Sequence, residues 1–174
     1  MTTKLNPKNK LPTLQDISVI LQRAGIKQSP KNLRYYIQAF THKSYTSSQK
    51  QQSQNSAVVP LQRYSLETYE FVGDSILGKT VCLYLYNRFQ CLQEGHLTRF
   101  KQRIVDCKTL ASFGRYLKFQ EWCLISSYME STAGRNNDKL MEDVFEAFVF
   151  ALYLDLGETI VSRFIINVME SVLD

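Results

Sequence analysis

The sequence predicts an all-α fold, and three observations carry that prediction. No segment alternates apolar and polar residues between turn signals, as a half-buried strand would. Several stretches instead space apolar residues three and four apart, which gathers side chains on one face of a helix. Two more, Tyr69 to Tyr86 and Asp143 to Leu154, are apolar nearly all round, a composition that suits helices buried on every side.

Residues 1–11 are polar and basic without periodicity and are expected to be disordered. Thr13 offers an N-cap with Asp16 three residues on, and Leu14, Ile17, Ile20 and Leu21 then form the apolar face of a short helix that Gly25 ends. A second helix starts near Ser29 and Pro30, with Leu33, Ile37 and Phe40 inward. The stretch SSQKQQSQNS has no apolar residue, so 47–60 is expected to be a mobile polar loop. Helical texture resumes near Tyr64 and runs to about Phe89. Past Glu94 and Gly95, the residues Leu97, Phe100, Ile104, Ala111 and Leu117 keep helical spacing, and Gly114 leaves open whether this is one helix or two. Ser131 to Asp138 reads as a polar loop, and an amphipathic helix follows from Glu158.

With 174 residues, 44% of them hydrophobic, the chain suffices for one sizeable core, and residues 12–174 are expected to form a single domain. No run of eighteen uncharged apolar residues suggests a membrane span, and the N-terminus has no apolar signal core. The expected location is therefore intracellular, in cytoplasm or nucleus, with no membrane partner. The four cysteines are never spaced as C-x-x-C, and three lie in apolar surroundings or beside expected helices, as reduced core thiols rather than zinc ligands would. With only His42 and His96, a histidine-centred nucleophile triad has little to draw on. The net charge of +5 suits a polyanionic partner. Between Leu97 and Lys118 the bases Arg99, Lys101, Arg103, Lys108, Arg115 and Lys118 face one acid, Asp106, so this strip is either a solvated helix face or a phosphate-contact surface.

The two apolar segments share an electrostatic fault. Each carries a pair of acids about one helical turn apart, Glu70 with Asp74 and Asp143 with Glu146. Stacked carboxylates repel, and burial makes the charged forms costlier still unless a counter-charge is present. Either one acid of a pair is protonated or meets a distant base, or, if the two helices pack with those faces together, a shared hard cation resolves the repulsion. Oxygen-only ligation suits Mg²⁺ or Mn²⁺; a di-iron centre would call for Glu-x-x-His pairs, and neither histidine follows a glutamate at that spacing. Such an ion with a basic strip nearby points to phosphoryl chemistry, and so to a nuclease.

Four blocks in order resemble the ribonuclease III family: THKSY at Thr41, YEFVGDSIL at Tyr69, EGHLTRFKQRIVDCKTLA at Glu94 and KLMEDVFEAFVFALYLDLG at Lys139. The resemblance implies the family's compact helical endonuclease domain, a homodimer, and Mg²⁺-dependent hydrolysis of double-stranded RNA without a small-molecule cofactor. It also implies 5′-phosphate and 3′-hydroxyl ends with short 3′ overhangs. Glu70, Asp74, Asp143 and Glu146 match the four catalytic metal-site acids. Phe71 matches an aromatic that inserts into the partner subunit, and Glu67 is a further contact candidate at the dimer interface. Lys139 matches a lysine of Dicer enzymes; it is a candidate to touch RNA, or else a simple helix pair with Asp143. Arg99, Arg103, Lys108 and Asn137 are further RNA-binding candidates, with Arg135 and Asn136 beside them.

The sequence departs from the family at Asp106 and Cys107, where Asn or Ser is common, and at Phe150, where a small residue is usual. No double-stranded-RNA-binding domain is expected within these residues. The alternative reading is a non-catalytic module of the same fold that binds RNA or protein.

Overall fold

The computed structural model describes residues 4–47 and 57–173, and within them the fold is helical, with two isolated bridges, Thr41 with Leu124 and Thr46 with Gln62, in place of a sheet. The expectation for 48–56 lies outside the described residues. No described helix is long and apolar enough to cross a membrane.

Helix α1 spans Leu14–Arg23 and opens with the expected capping box, Thr13 accepting from the Asp16 amide while Asp16 accepts from Thr13. Gly25 then takes a left-handed φ of 69°, which reverses the chain. Helix α2 covers Leu33–Phe40, starting at the cap Asn32, and its buried face is Tyr36, Ala39 and Phe40. Helix α3 covers Glu67–Arg88, α4 Glu94–Ile104 and α5 Cys107–Tyr116. The open question between Glu94 and Leu117 thus resolves into two helices. Asp106 separates them by accepting from the amides of Lys108 and Thr109, so the departure from the family at this position is an intact N-cap. A short α6, Ser127–Thr132, occupies a region without a clear periodic signal. Helix α7 spans Asp138–Leu156 and α8 Glu158–Leu173, joined at Gly157 with φ 85°.

Helix α7 is the axis of the fold, packing on α2, α3, α5 and α8. Ten of its residues are buried, and Phe145 and Phe148 sit inside an aromatic cluster with Tyr36, Phe40, Phe113, Phe119 and Phe164. Full burial of each such ring contributes roughly 2–3 kcal/mol. Phe150, the other departure from the family, packs edge-on against Tyr69 at 5.1 Å between ring centroids and so ties α7 to α3.

Three expectations need correction. The N-terminal segment is not free from residue 4 onward. Asn6 and Asn9 are buried; Asn6 donates to the Ile125 carbonyl at 3.1 Å and to Glu130 at 2.9 Å, and Asn9 donates to the Ile125 carbonyl at 2.9 Å. Side-chain amides satisfy a stretch of irregular backbone here, a pairing that composition does not reveal. Helix α3 is not buried all round: its inner stripe is Gly73, Leu77, Thr80, Val81 and Leu85, whereas Phe71, Leu83 and Tyr86 are exposed. Of the cysteines only Cys123 is buried, and Cys82 and Cys91 are exposed, because they fall on that outer face or just past the helix end.

Candidate active site

The site forms where α3 crosses α7, and the crossing is close because of Gly73. A β-carbon there would lie 1.8 Å from the Glu146 carbonyl oxygen, so the two backbones touch at a distance open only to glycine. Glu70, one turn before Gly73, is thereby carried against the acids of α7. Carboxylate oxygens of Glu70, Asp143 and Glu146 lie within 4.8 Å of one another. Asp74 takes the exposed flank of α3 and stands outside this group, although its charge still acts on Glu146.

Burial and crowding disfavour ionisation at this point. Glu146, 7% exposed, is pushed up to about 8, first by loss of water and then by the charges of Asp74, Glu142 and Glu70. Glu70 is raised for the same reasons, burial first and then Asp143. The cation at hand is Lys139. Its Nζ lies 2.7 Å from Asp143 Oδ1, 3.1 Å from Glu142 Oε2 and 4.0 Å from Glu70 Oε1. Burial would lower the lysine's pKa, but its close contacts with the Asp143 and Glu142 carboxylates outweigh it and hold the group well above its usual range. The ammonium is ion-paired with Asp143 Oδ1, although it lies outside hydrogen-bonding alignment with that buried oxygen. Three converging carboxylates, two of them reluctant to ionise and the third with a buried oxygen met only by a misaligned ammonium, fit a hard divalent cation, for which Glu70, Asp143 and Glu146 would supply the oxygens.

Two residues border the site that sequence reasoning missed. Glu142, 15% exposed at its side chain, binds Lys139; its spacing of three from Lys139 and four from Glu146 was the available signal. His42 accepts the Ser44 amide on Nδ1 at 3.1 Å, which leaves Nε2 as its N–H. Burial and then Lys43 lower its pKa, against the pull of Asp143 and Glu67.

The other candidates divide. Phe71 is 79% exposed, beside the acids but turned away from the core. Glu67 is exposed and pairs with Lys43 at 3.2 Å. Arg99, Arg103 and Lys108 are exposed, on α4 and the start of α5. The start of α5 borders the acids: burial and a hydrogen bond with Glu142 push the Cys107 thiol up to about 11. Asn137 caps α7 by accepting from the Leu140 amide at 3.2 Å. Arg135 is bound inward, to Glu130 and to the Cys123 carbonyl, and Asn136 accepts from Arg115 at 2.8 Å.

The profile of the Ribonuclease-III-like family matches residues 32–172. The chain belongs to this family. Ribonuclease 3 of Geobacillus thermodenitrificans is 38% identical over 144 residues, covering 83% of this chain and 55% of that protein. Ribonuclease 3 of Spiroplasma citri is 34% identical over 139 residues, covering 80% and 52%. The chain thus spans about half the length of the curated relatives it matches. A solved nuclease domain of ribonuclease III from Campylobacter jejuni, flexible in a region involved in dimer formation, superposes with a TM-score of 0.74 at 25% identity. That match covers 90% of this chain and 97% of the other. The helical architecture described above is the ribonuclease III nuclease-domain fold, and the α3–α7 crossing lies within the matched span.

Proposed function

We propose that residues 12–174, with the packed segment from residue 4, form a ribonuclease III endonuclease domain that hydrolyses phosphodiesters of double-stranded RNA. The observation that carries this reading is the partly buried cluster of Glu70, Asp143 and Glu146 at the Gly73 crossing, in a chain of this family. These three acids, with Asp74 on the open flank, hold Mg²⁺, and Mn²⁺ substitutes for it. When bound, such an ion supplies a water acidic enough to attack phosphorus and neutralises charge on the departing oxygen. Lys139, 64% exposed at its side chain, stands at the rim with its charge toward the acids and its stem in solvent, where a phosphate would approach. Arg99, Arg103 and Lys108 take the flanking backbone of an A-form duplex by charge and shape, without reading bases. Asn137, its side-chain oxygen committed to capping α7, is the weakest of the RNA-contact candidates.

Phe71 supports a homodimer: a phenyl ring 79% exposed beside the acids is costly in water and suits insertion into a second copy, with Glu67 at the same edge. Two sites, one for each strand, then produce 5′-phosphate and 3′-hydroxyl ends with short 3′ overhangs. The same reading places the protein in the cytoplasm or nucleus, where its RNA substrate is. The test is incubation of a long RNA duplex with protein and Mg²⁺, comparing wild type with Glu146→Gln. A loss of about 10³-fold or more is expected, several kcal/mol of transition-state stabilisation. Unchanged cleavage by the variant would overturn the metal-ligand assignment, and binding without cleavage in Mg²⁺ and Mn²⁺ alike would favour the non-catalytic module.

A further inference from the structure

Lys139 occupies a position that a bound cation would contest. Its ammonium is seated 2.7 Å from Asp143 Oδ1, an oxygen that is buried and has no aligned donor, and 4.0 Å from Glu70 Oε1. Both carboxylates belong to the three-acid group. A divalent cation held by Glu70, Asp143 and Glu146 repels the ammonium at this distance and competes for the same Asp143 carboxylate. Glu142 differs from the other acids that touch the lysine. It lies outside the three-acid group, yet it accepts a well-aligned hydrogen bond from Lys139 at 3.1 Å. The helix sets this up, with Lys139, Glu142 and Asp143 at i, i+3 and i+4 on one face of α7.

We propose that Lys139 is a resident counter-cation of the ion-free site, and that Glu142 is the positioning residue that retains it at the rim when a divalent cation enters. The ammonium neutralises the crowded acids while the site holds no ion. Metal entry breaks its contacts with Asp143 and Glu70, and the Glu142 bond keeps the side chain from swinging into solvent, so the same charge then faces an incoming phosphate. Metal affinity is thereby set against an internal competitor. The inference rests on the metal reading of Glu70, Asp143 and Glu146.

The test is isothermal titration of the ion-free protein with Mn²⁺ alone and with Mg²⁺ alone, without RNA, for wild type, Lys139→Met, Glu142→Gln and the double variant. Removing the competitor is expected to tighten Mn²⁺ binding roughly tenfold, within the range of typical coupling between ligands. The ion-free melting temperature of Lys139→Met should fall, and saturating Mn²⁺ should erase the difference. Glu142→Gln should weaken Mn²⁺ binding, and that weakening should shrink to half or less in the Lys139→Met background; a general charge effect would be additive. Unchanged or weaker binding by Lys139→Met overturns the competition, and additive effects overturn the retaining role of Glu142. Absence of Mn²⁺ and Mg²⁺ binding by wild type instead overturns the metal reading on which both stand.

Discussion

Helix α7 is wrapped by α2, α3, α5 and α8, whereas α3 lays one stripe against α7 and leaves Phe71, Leu83 and Tyr86 in solvent. Both helices carry acids, and the acids differ accordingly. Glu146, on the enclosed helix, is pushed up to about 8 by loss of water and the negative groups around it. Asp74, on the half-covered helix, is exposed. The proposed site, with an ion to hold and a large polyanion to admit, needs both environments. The enclosed helix keeps its carboxylates poor in water, so a cation gains most by joining them; the half-covered helix leaves a side open for substrate. The crossing at Gly73 couples the two.

The sharpest way to break this pairing is Gly73→Ala. A β-carbon 1.8 Å from the Glu146 carbonyl meets backbone, which cannot swing aside as a side chain would, so α3 and α7 must separate. A loss of about 2–4 kcal/mol in stability is expected from overpacking, seen as an earlier chemical-denaturation midpoint, together with loss of cleavage.

A smaller effect of opposite sign follows from the enclosed acid. The folded ion-free protein keeps the Glu146 proton up to about 8, whereas the unfolded chain releases it near 4.5. A raised carboxyl pKa means the native state binds more protons in that window, so ion-free stability falls as pH rises from about 4.5 to 8. Glu146→Gln should reduce that slope, leaving the part due to the raised Glu70, and be more stable than wild type at pH 8, by on the order of 2 kcal/mol, while losing cleavage. Denaturation at pH 5 and pH 8 in chelator measures it, and a wild type as stable at pH 8 as at pH 5 would contradict the assignment.

The smallest effect on the folded chain is expected on the half-covered helix. Phe71→Ala removes a ring that touches little of its own subunit, so chain stability should change by less than about 0.5 kcal/mol. The proposed homodimer, by contrast, should weaken markedly in sedimentation. Unaltered self-association would detach Phe71 from the interface.

Much of this architecture is legible in the chain. The Thr13–Asp16 capping box, the 3.6-residue periodicity of α1 and α8, and the paired acids of α3 and α7 are local features, and local features survive translation into structure. Helix α6 is too short for periodicity to register, and the break between α4 and α5 depended on whether Asp106 capped a new helix. The packing of residues 4–11 escaped for another reason, since it rests on two asparagine amides finding a backbone carbonyl more than 100 positions away.

By itself, the sequence determined that the protein is helical, that two apolar helices each carry a carboxylate pair, and that each pair needs a counter-charge or a proton. These follow from spacing and from the electrostatics of like charges. Only the tertiary structure decided which apolar faces are covered, because hydrophobicity states a need for burial without naming the neighbour that meets it. It also decided that Glu70 rather than Asp74 joins Asp143 and Glu146, and that Lys139 reaches Glu70 across the crossing as well as its own helix. The physical reason is Gly73. A single missing side chain sets how closely two helices approach, and that distance determines which carboxylates meet.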